Sequence, residues 1–173
     1  MLFKLMLCLL ILLIGAGIGR LKAKTYDNRL YHLQELLTSI KVLESEMKYR
    51  MDPLPELLIR MGKIKEGMSG VLFDTAGRLL KDQAARDLTD CWREAVETAY
   101  GESALNREDR RIIDDLGIEL GKTDLEGQKG MFQRTFSLLE AQAAEAAEEK
   151  RTKGKMYKSL GTAIGALIVI LFA

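Results

Sequence analysis

The chain has 173 residues, 26 Lys and Arg, 25 Asp and Glu and one His, a length that points to one folded domain. Its net charge of +1 conceals a segregation: all 25 acids fall between Asp27 and Glu149, where 17 Lys and Arg leave a net of −8, and the other nine basic residues flank that interval. Those flanking clusters adjoin apolar segments and interleave with no aromatic except Tyr157, which excludes a nucleic-acid surface, and two cysteines in unlike settings, Cys8 and Cys91, exclude a disulfide framework.

Leu2 to Gly19 carries one charge, Lys4. A helix over these residues would be about 27 Å long, against about 30 Å of bilayer hydrocarbon. A cleaved signal peptide is the rival reading, with Lys4 as its charged start and Leu5 to Ile14 as its apolar centre. "GAGIG" offers no small-x-small cleavage site, however, and "RLKAK" follows at once as a stop-transfer flank, so an uncleaved anchor is expected. "LMLC" also has bulky residues where a lipoprotein signal has small ones, which argues against lipid attachment at Cys8.

Leu30, Leu33, Leu37, Ile40 and Met47, widened by Leu36 and Leu43, form the stripe of an amphipathic helix reaching about Arg50. Glu44 falls on that stripe, either as a buried carboxylate paired with an arginine or as an edge residue reaching water. Both prolines follow, in "MDPLPELL". Either Asp52 caps a helix entered by Pro53 and Pro55, or the helix begins at Pro55. In both cases the long first helix stops and the bundle turns back.

Next come a short helix in "ELLIRMGKI" and another in "SGVLFDTAGRLL", with Val71, Leu72, Ala76, Leu79 and Leu80 on its apolar side. "ARDLTDCWREAVETAY" spaces Leu88, Cys91, Trp92, Ala95 and Val96 as one helical face, with Trp92 as a core residue. Asn106 is expected to cap a helix that buries Ile112, Ile113, Leu116 and Leu120. Gly117 and Gly121, four apart, indicate a close backbone neighbour, with a C-cap at Gly121 as the plainer alternative. "TDLE", Thr123 to Glu126, reads as a capping box for an unbroken helix running into the uncharged C-terminal segment, with Phe132, Phe136, Leu139, Ala143 and Ala146 or Ala147 as its stripe.

The expected architecture is therefore all-α: an antiparallel cytoplasmic bundle of about six helices over residues 20–155, between transmembrane helices at 2–19 and 156–173. Basic residues on the domain side of both anchors place that domain in the cytoplasm and both termini across the membrane. Gly15 with Gly19, and Gly161 with Gly165, provide small-residue faces for close helix contact in lipid, between the anchors or with another protein. Phosphate loops, paired metal-ligand spacings and nucleophile elbows are absent, His32 lies on the polar side of the first helix, and Asp114 and Asp115 point to different faces. No enzyme, cofactor, metal or small-molecule substrate is expected.

The stretches "LLTSIKVLESEMKYRMDPLPELL", "DDLGIELGKTDLEGQ" and "KMYKSLGTAIGALIVILF" resemble the stage III sporulation protein AB family of endospore-forming bacteria over essentially the whole chain. The motif residues are Glu44, Glu46, Tyr49, Pro53, Pro55, Gly117, Gly121, Asp124 and Gln128. The resemblance implies a fold similar to the cytoplasmic domain of F-type platform proteins of type II secretion and type IV pilus systems. It also implies a place in a channel complex between mother cell and forespore, with a secretion-type ATPase and ring-forming subunits, supporting late forespore gene expression. No catalytic residue carries over. Platform proteins have two such domains and more membrane segments, whereas this chain has one domain and two segments. A membrane signalling adaptor acting through coiled-coil self-association of the first long helix is the alternative.

Overall fold

The structure, a computed structural model, describes residues 2–50, 52–82, 86–120 and 125–172, without the side chains of 2–5, 7–9, 12, 125–126 and 171–172. Every regular element among the described residues is helical: α1 (Leu2–Tyr49), α2 (Leu54–Ile64), α3 (Met68–Asp82), α4 (Leu88–Tyr100), α5 (Arg107–Glu119), α6 (Leu125–Glu149), a π-helical turn (Lys150–Gly154) and α7 (Lys155–Phe172). They divide into two compact units, Met1–Leu30 with Ala144–Ala173, and Tyr31–Ala143. Among the described residues no helix is long and apolar enough to cross a membrane. Much of the expected first span, Leu2 to Gly19, rests on side chains outside the described set.

In the first unit α1 runs antiparallel to the π-turn and α7. Asp27 pairs with Lys150 at 3.1 Å, the rings of Tyr26 and Tyr157 stack with centroids 5.9 Å apart, and Gly15 lies beside Gly161 and Gly165. The two glycine pairs meet each other. A Cβ added at Gly19 would stand 2.5 Å from the carbonyl oxygen of Tyr157, and one at Gly161 would stand 2.5 Å from that of Gly15, so only glycine permits this approach. Arg29, 5% exposed, donates to Glu149 at 2.7 Å and lies 3.6 Å from Glu145. The helix expected to continue unbroken after Thr123 does stay helical through Glu149 and Lys155, but Lys150–Gly154 widens into a π-turn. Periodicity over the whole segment does not register one inserted residue.

The second unit is built on consecutive helical hairpins. α2 begins at Leu54, with Pro53 as the extended residue before it and Pro55 in the first turn, where a missing N–H costs no intrahelical bond. It buries Leu57, Leu58 and Met61. The return to α3 passes through Gly67, whose φ of +83° is left-handed backbone that side chains disfavour. α3 then packs antiparallel on α2, with Gly62 facing Asp74 and Gly77 facing the Pro55 carbonyl and Ile59. The buried face of α3 is Leu72, Phe73, Ala76 and Gly77, while Val71, expected on that face, is exposed.

α4 buries Cys91, Trp92, Ala95, Val96 and Tyr100, and the rings of Phe73 and Trp92 lie 6.3 Å apart. Burial pushes the Cys91 thiol above its ordinary pKa, which keeps it a protonated core residue. Asn106 caps α5 as expected and belongs to a reciprocal box: it accepts from the Asp109 N–H at 2.8 Å, and the Asp109 carboxylate accepts from the Asn106 N–H at 2.9 Å. On α1 the stripe Leu33, Leu36, Ile40 and Leu43 is fully buried, and α6 contributes Met131, Phe132 and Leu139. Thr123, Asp124 and Gly121 lie outside the described residues, so the expected capping box and C-cap do too.

Candidate functional site

Four of the motif residues, Glu46, Tyr49, Pro53 and Pro55, converge on the junction between α1 and α2. The last turn of α1 closes with the Arg50 N–H donating to the Glu46 carbonyl at 2.9 Å, and the first turn of α2 closes with the Leu57 N–H donating to the Pro53 carbonyl at 3.1 Å. Asp52 does not cap α2: the helix start has no side-chain cap. Its carboxylate accepts instead from Arg60, one helical turn deeper in α2, and the same guanidinium donates to Glu46 on α1 at 2.9 Å. Hydrogen bonding to Asp52, and then to Glu46, pushes the Arg60 pKa further above the ordinary arginine value. Glu46 also takes Arg50 at 3.1 Å. The turn is thus clamped by a two-carboxylate, two-guanidinium network and by two prolines with fixed φ.

Outside this clamp the turn presents Tyr49, 77% exposed, with the Lys48 ammonium 5.5 Å from its ring centroid, and the exposed Asp52, Pro53 and Glu56. Glu44 resolves to the edge position, half-buried, and no arginine pairs with it among the described residues. It lines a cleft of about 480 Å³ with Met47, Lys48, Gln128, Lys129 and Phe132. The structure therefore brings Glu44 and Gln128, 84 positions apart in the chain, to the same cavity.

Gly117 lies elsewhere, and its close neighbour is an aromatic ring. The indole of Trp92 covers it so tightly that an added Cβ would stand 2.1 Å from the ring. The indole N–H donates to the Ile113 carbonyl at 2.9 Å, which fixes the ring over the glycine. The nearest neighbours are ring atoms of Trp92 and not the backbone that the spacing suggested, so the missing side chain makes room for the indole. Gly121 and Asp124 are outside the described residues.

One polar cluster escaped the sequence reading. Glu35 reaches from α1 to the start of α3, where its carboxylate accepts from the Ser69 N–H at 3.0 Å and from the Ser69 hydroxyl, which also meets Ser39 at 2.8 Å. The residue before α3 is Gly67, which has no side chain to cap with, and Glu35 from another helix supplies both the acceptor and the charge favoured at a helix N-terminus. Burial, with Glu35 nearby, pushes the Tyr100 phenol pKa well up, while burial lowers that of His32 against the opposing pull of Glu35. His32 is accordingly half-buried, where the sequence placed it on the polar side. The signal available was Glu35 and Ser39, one helical turn apart beside the apolar stripe. Among the described residues no three His, Cys, Asp or Glu side chains converge as metal ligands would.

Comparison with known proteins covers nearly the whole chain. The sequence profile described as Stage III sporulation protein AB matches residues 4–173. Stage III sporulation protein AB of Bacillus subtilis (strain 168) is 25% identical over 149 residues, 86% of each chain. A solved structure of stage III sporulation protein AB superimposes with a TM-score of 0.66 at 20% identity, covering 72% of this chain and 98% of that one, which shows a shared fold. The chain belongs to the stage III sporulation protein AB family.

Proposed function

We propose that this protein is a non-enzymatic platform subunit of a sporulation-specific, secretion-like complex in the mother-cell-derived membrane around the forespore. Residues 2–19 and 156–173 serve as its anchors, and the acidic helical region 20–155 faces the cytoplasm and docks a secretion-type ATPase. The observation that carries the reading is the antiparallel pairing of the two apolar chain ends through Gly15, Gly19, Gly161 and Gly165. A contact through four glycines gains little from water exclusion and suits a lipid setting, where small residues let helices approach. Basic residues cluster just inside both segments, as expected of a cytoplasmic flank. Supporting the docking role is the clamped α1–α2 turn, which offers an exposed Tyr49 on a rigid frame.

The signalling-adaptor alternative needs a free apolar stripe on α1. Leu33 and Ile40 are fully buried within the chain itself, which weighs against it. Affinity capture of the tagged full chain from sporulating cells tests the proposal. The ATPase and ring-forming subunits should co-purify, the chain should resist alkaline extraction from membranes, and a reporter that works only in the cytoplasm should be inactive when fused after Ala173. Absence of the ATPase under every nucleotide condition, together with completed sporulation in a strain lacking the protein, would sink the platform role.

A further inference from the structure

The first unit contains a cleft of about 380 Å³ walled by α1 and by the π-turn with the start of α7. Its lining combines apolar groups, Ala23, Leu30 and Ala147, with four cations, Lys150, Arg151, Lys155 and Lys158, against a single carboxylate, Asp27. Two of the cations are committed: Lys150 to Asp27 at 3.1 Å and Arg151 to both oxygens of Glu148 at 2.9 Å. Lys155 and Lys158, one turn apart on α7 and both exposed, have no ion-pair partner among the described residues. Gly154 forms the floor. It is buried, yet an added Cβ there would meet nothing within 4 Å, so the space above it is open. The π-turn, which adds a residue to the helix here, puts a glycine and two lysines around that opening.

The depth of the cleft identifies its occupant. The uncharged segment begins at Ser159, five residues past Gly154, a rise of about 7.5 Å. Head groups occupy roughly the outer 5–7 Å on each face of a bilayer. The cleft therefore falls at the level of lipid phosphates, with the stacked pair Tyr26 and Tyr157 beside it, where aromatic residues favour the interface.

We propose that this cleft binds the head group of one anionic phospholipid, its phosphate between Lys155 and Lys158 above Gly154 and beside the apolar wall at Ala23. The site rests on the membrane-bound reading above. It goes beyond a diffuse basic flank in requiring a single saturable position.

The test uses the full chain incorporated into nanodiscs of equal phosphatidylglycerol and phosphatidylcholine, released into mild detergent, with retained lipid counted by native mass spectrometry. One phosphatidylglycerol per chain should be retained in preference to phosphatidylcholine. Lys155→Gln with Lys158→Gln should lower retention about thirtyfold, whereas Arg20→Gln with Lys24→Gln, equally basic and outside the cleft, should leave it nearly unchanged. Circular dichroism establishes that both variants keep their helical content. Equal retention of the two lipids, or equal loss in the two variants, overturns the site and leaves the membrane reading standing. Displacement of the lipid by excess inorganic phosphate, itself then found bound, assigns the cleft to free phosphate and also overturns the proposal. A chain that does not enter the discs at all overturns both readings.

Discussion

Replacing Gly117 by alanine tests whether this motif glycine serves packing or an external partner. The new methyl carbon would stand 2.1 Å from Trp92 Cδ1, 2.2 Å from Cγ and 2.6 Å from Nε1. Ordinary contact needs about 3.4 Å or more, so the ring must retreat by more than an ångström. It has little freedom to do so, since its N–H is tied to the Ile113 carbonyl at 2.9 Å and Phe73 lies 6.3 Å away on α3. Overpacking costs about 1–3 kcal/mol, and the strained indole bond about 1 kcal/mol more. The helix propensity of alanine returns about 1 kcal/mol. The balance is a loss of about 1–3 kcal/mol, or several degrees in Tm for a chain of this size. Trp92 is the sole tryptophan, so its emission in urea titrations of the detergent-solubilised full chain reports on the same contact. Trp92→Phe should relieve the clash, making the double variant less destabilised than the sum of the singles. If Gly117→Ala were instead stabilising, with tryptophan emission unchanged, the packing account would be wrong, and a docking role for this glycine would gain ground.

Arg29→Ala leaves Glu149 without its buried guanidinium and should cost about 3 kcal/mol, read as a lower urea midpoint; Arg29→Met should cost less because it refills the space. Bonds from Lys153 and then Arg29 hold the Glu149 carboxyl below its ordinary pKa of 4.5. Its contribution is therefore present above that value and lost as pH falls through the depressed folded value, so the wild type should lose stability below about pH 4.5 more steeply than Glu149→Gln, as acid titrations of the urea midpoint would reveal. Gly67→Ala forces a side chain into left-handed backbone and sets its Cβ 3.1 Å from the Glu35 carboxylate, for a loss of about 1–2 kcal/mol by thermal denaturation. Tyr49→Ala, at an exposed position, should change stability by no more than about 0.5 kcal/mol while reducing capture of the ATPase from sporulating cells. Undiminished capture would remove Tyr49 from the interface.

The helices were legible because their apolar residues recur at helical spacing and because the chain has little punctuation. Cys91, Trp92, Ala95 and Val96 share one face by spacing alone, and all four are buried. Asn106 before two acids marked the start of α5, where the structure adds the return bond from Asp109. What stayed hidden depends on contacts between helices. Val71 and Phe73 sit two positions apart, and only the placement of α2 and α4 decides that Phe73 turns inward. Glu35 meets Ser69 across 34 positions, and no local pattern encodes that reach. The π-turn is a single inserted residue inside a long helical run, too small a phase shift to read from composition.

The same limit explains why the prolines were half understood. Their fixed geometry announced a turn, but Asp52 looked like a cap because capping is the local option. A longer-range partner won: Arg60 draws Asp52 and Glu46 to one guanidinium and ties the end of α1 to the body of α2. This exchange matters for recognition. A turn held only by its backbone would lose conformational freedom on binding a partner, at about 1–2 kcal/mol for each residue ordered. Here the prolines and the ion-pair network have already fixed it, so little of that cost would remain for a partner docking on Tyr49 and Pro53 as proposed. If the proposed docking role holds, stability and recognition should separate at this motif: loss of the Arg60 guanidinium should lower the first, and loss of the Tyr49 ring should lower only the second.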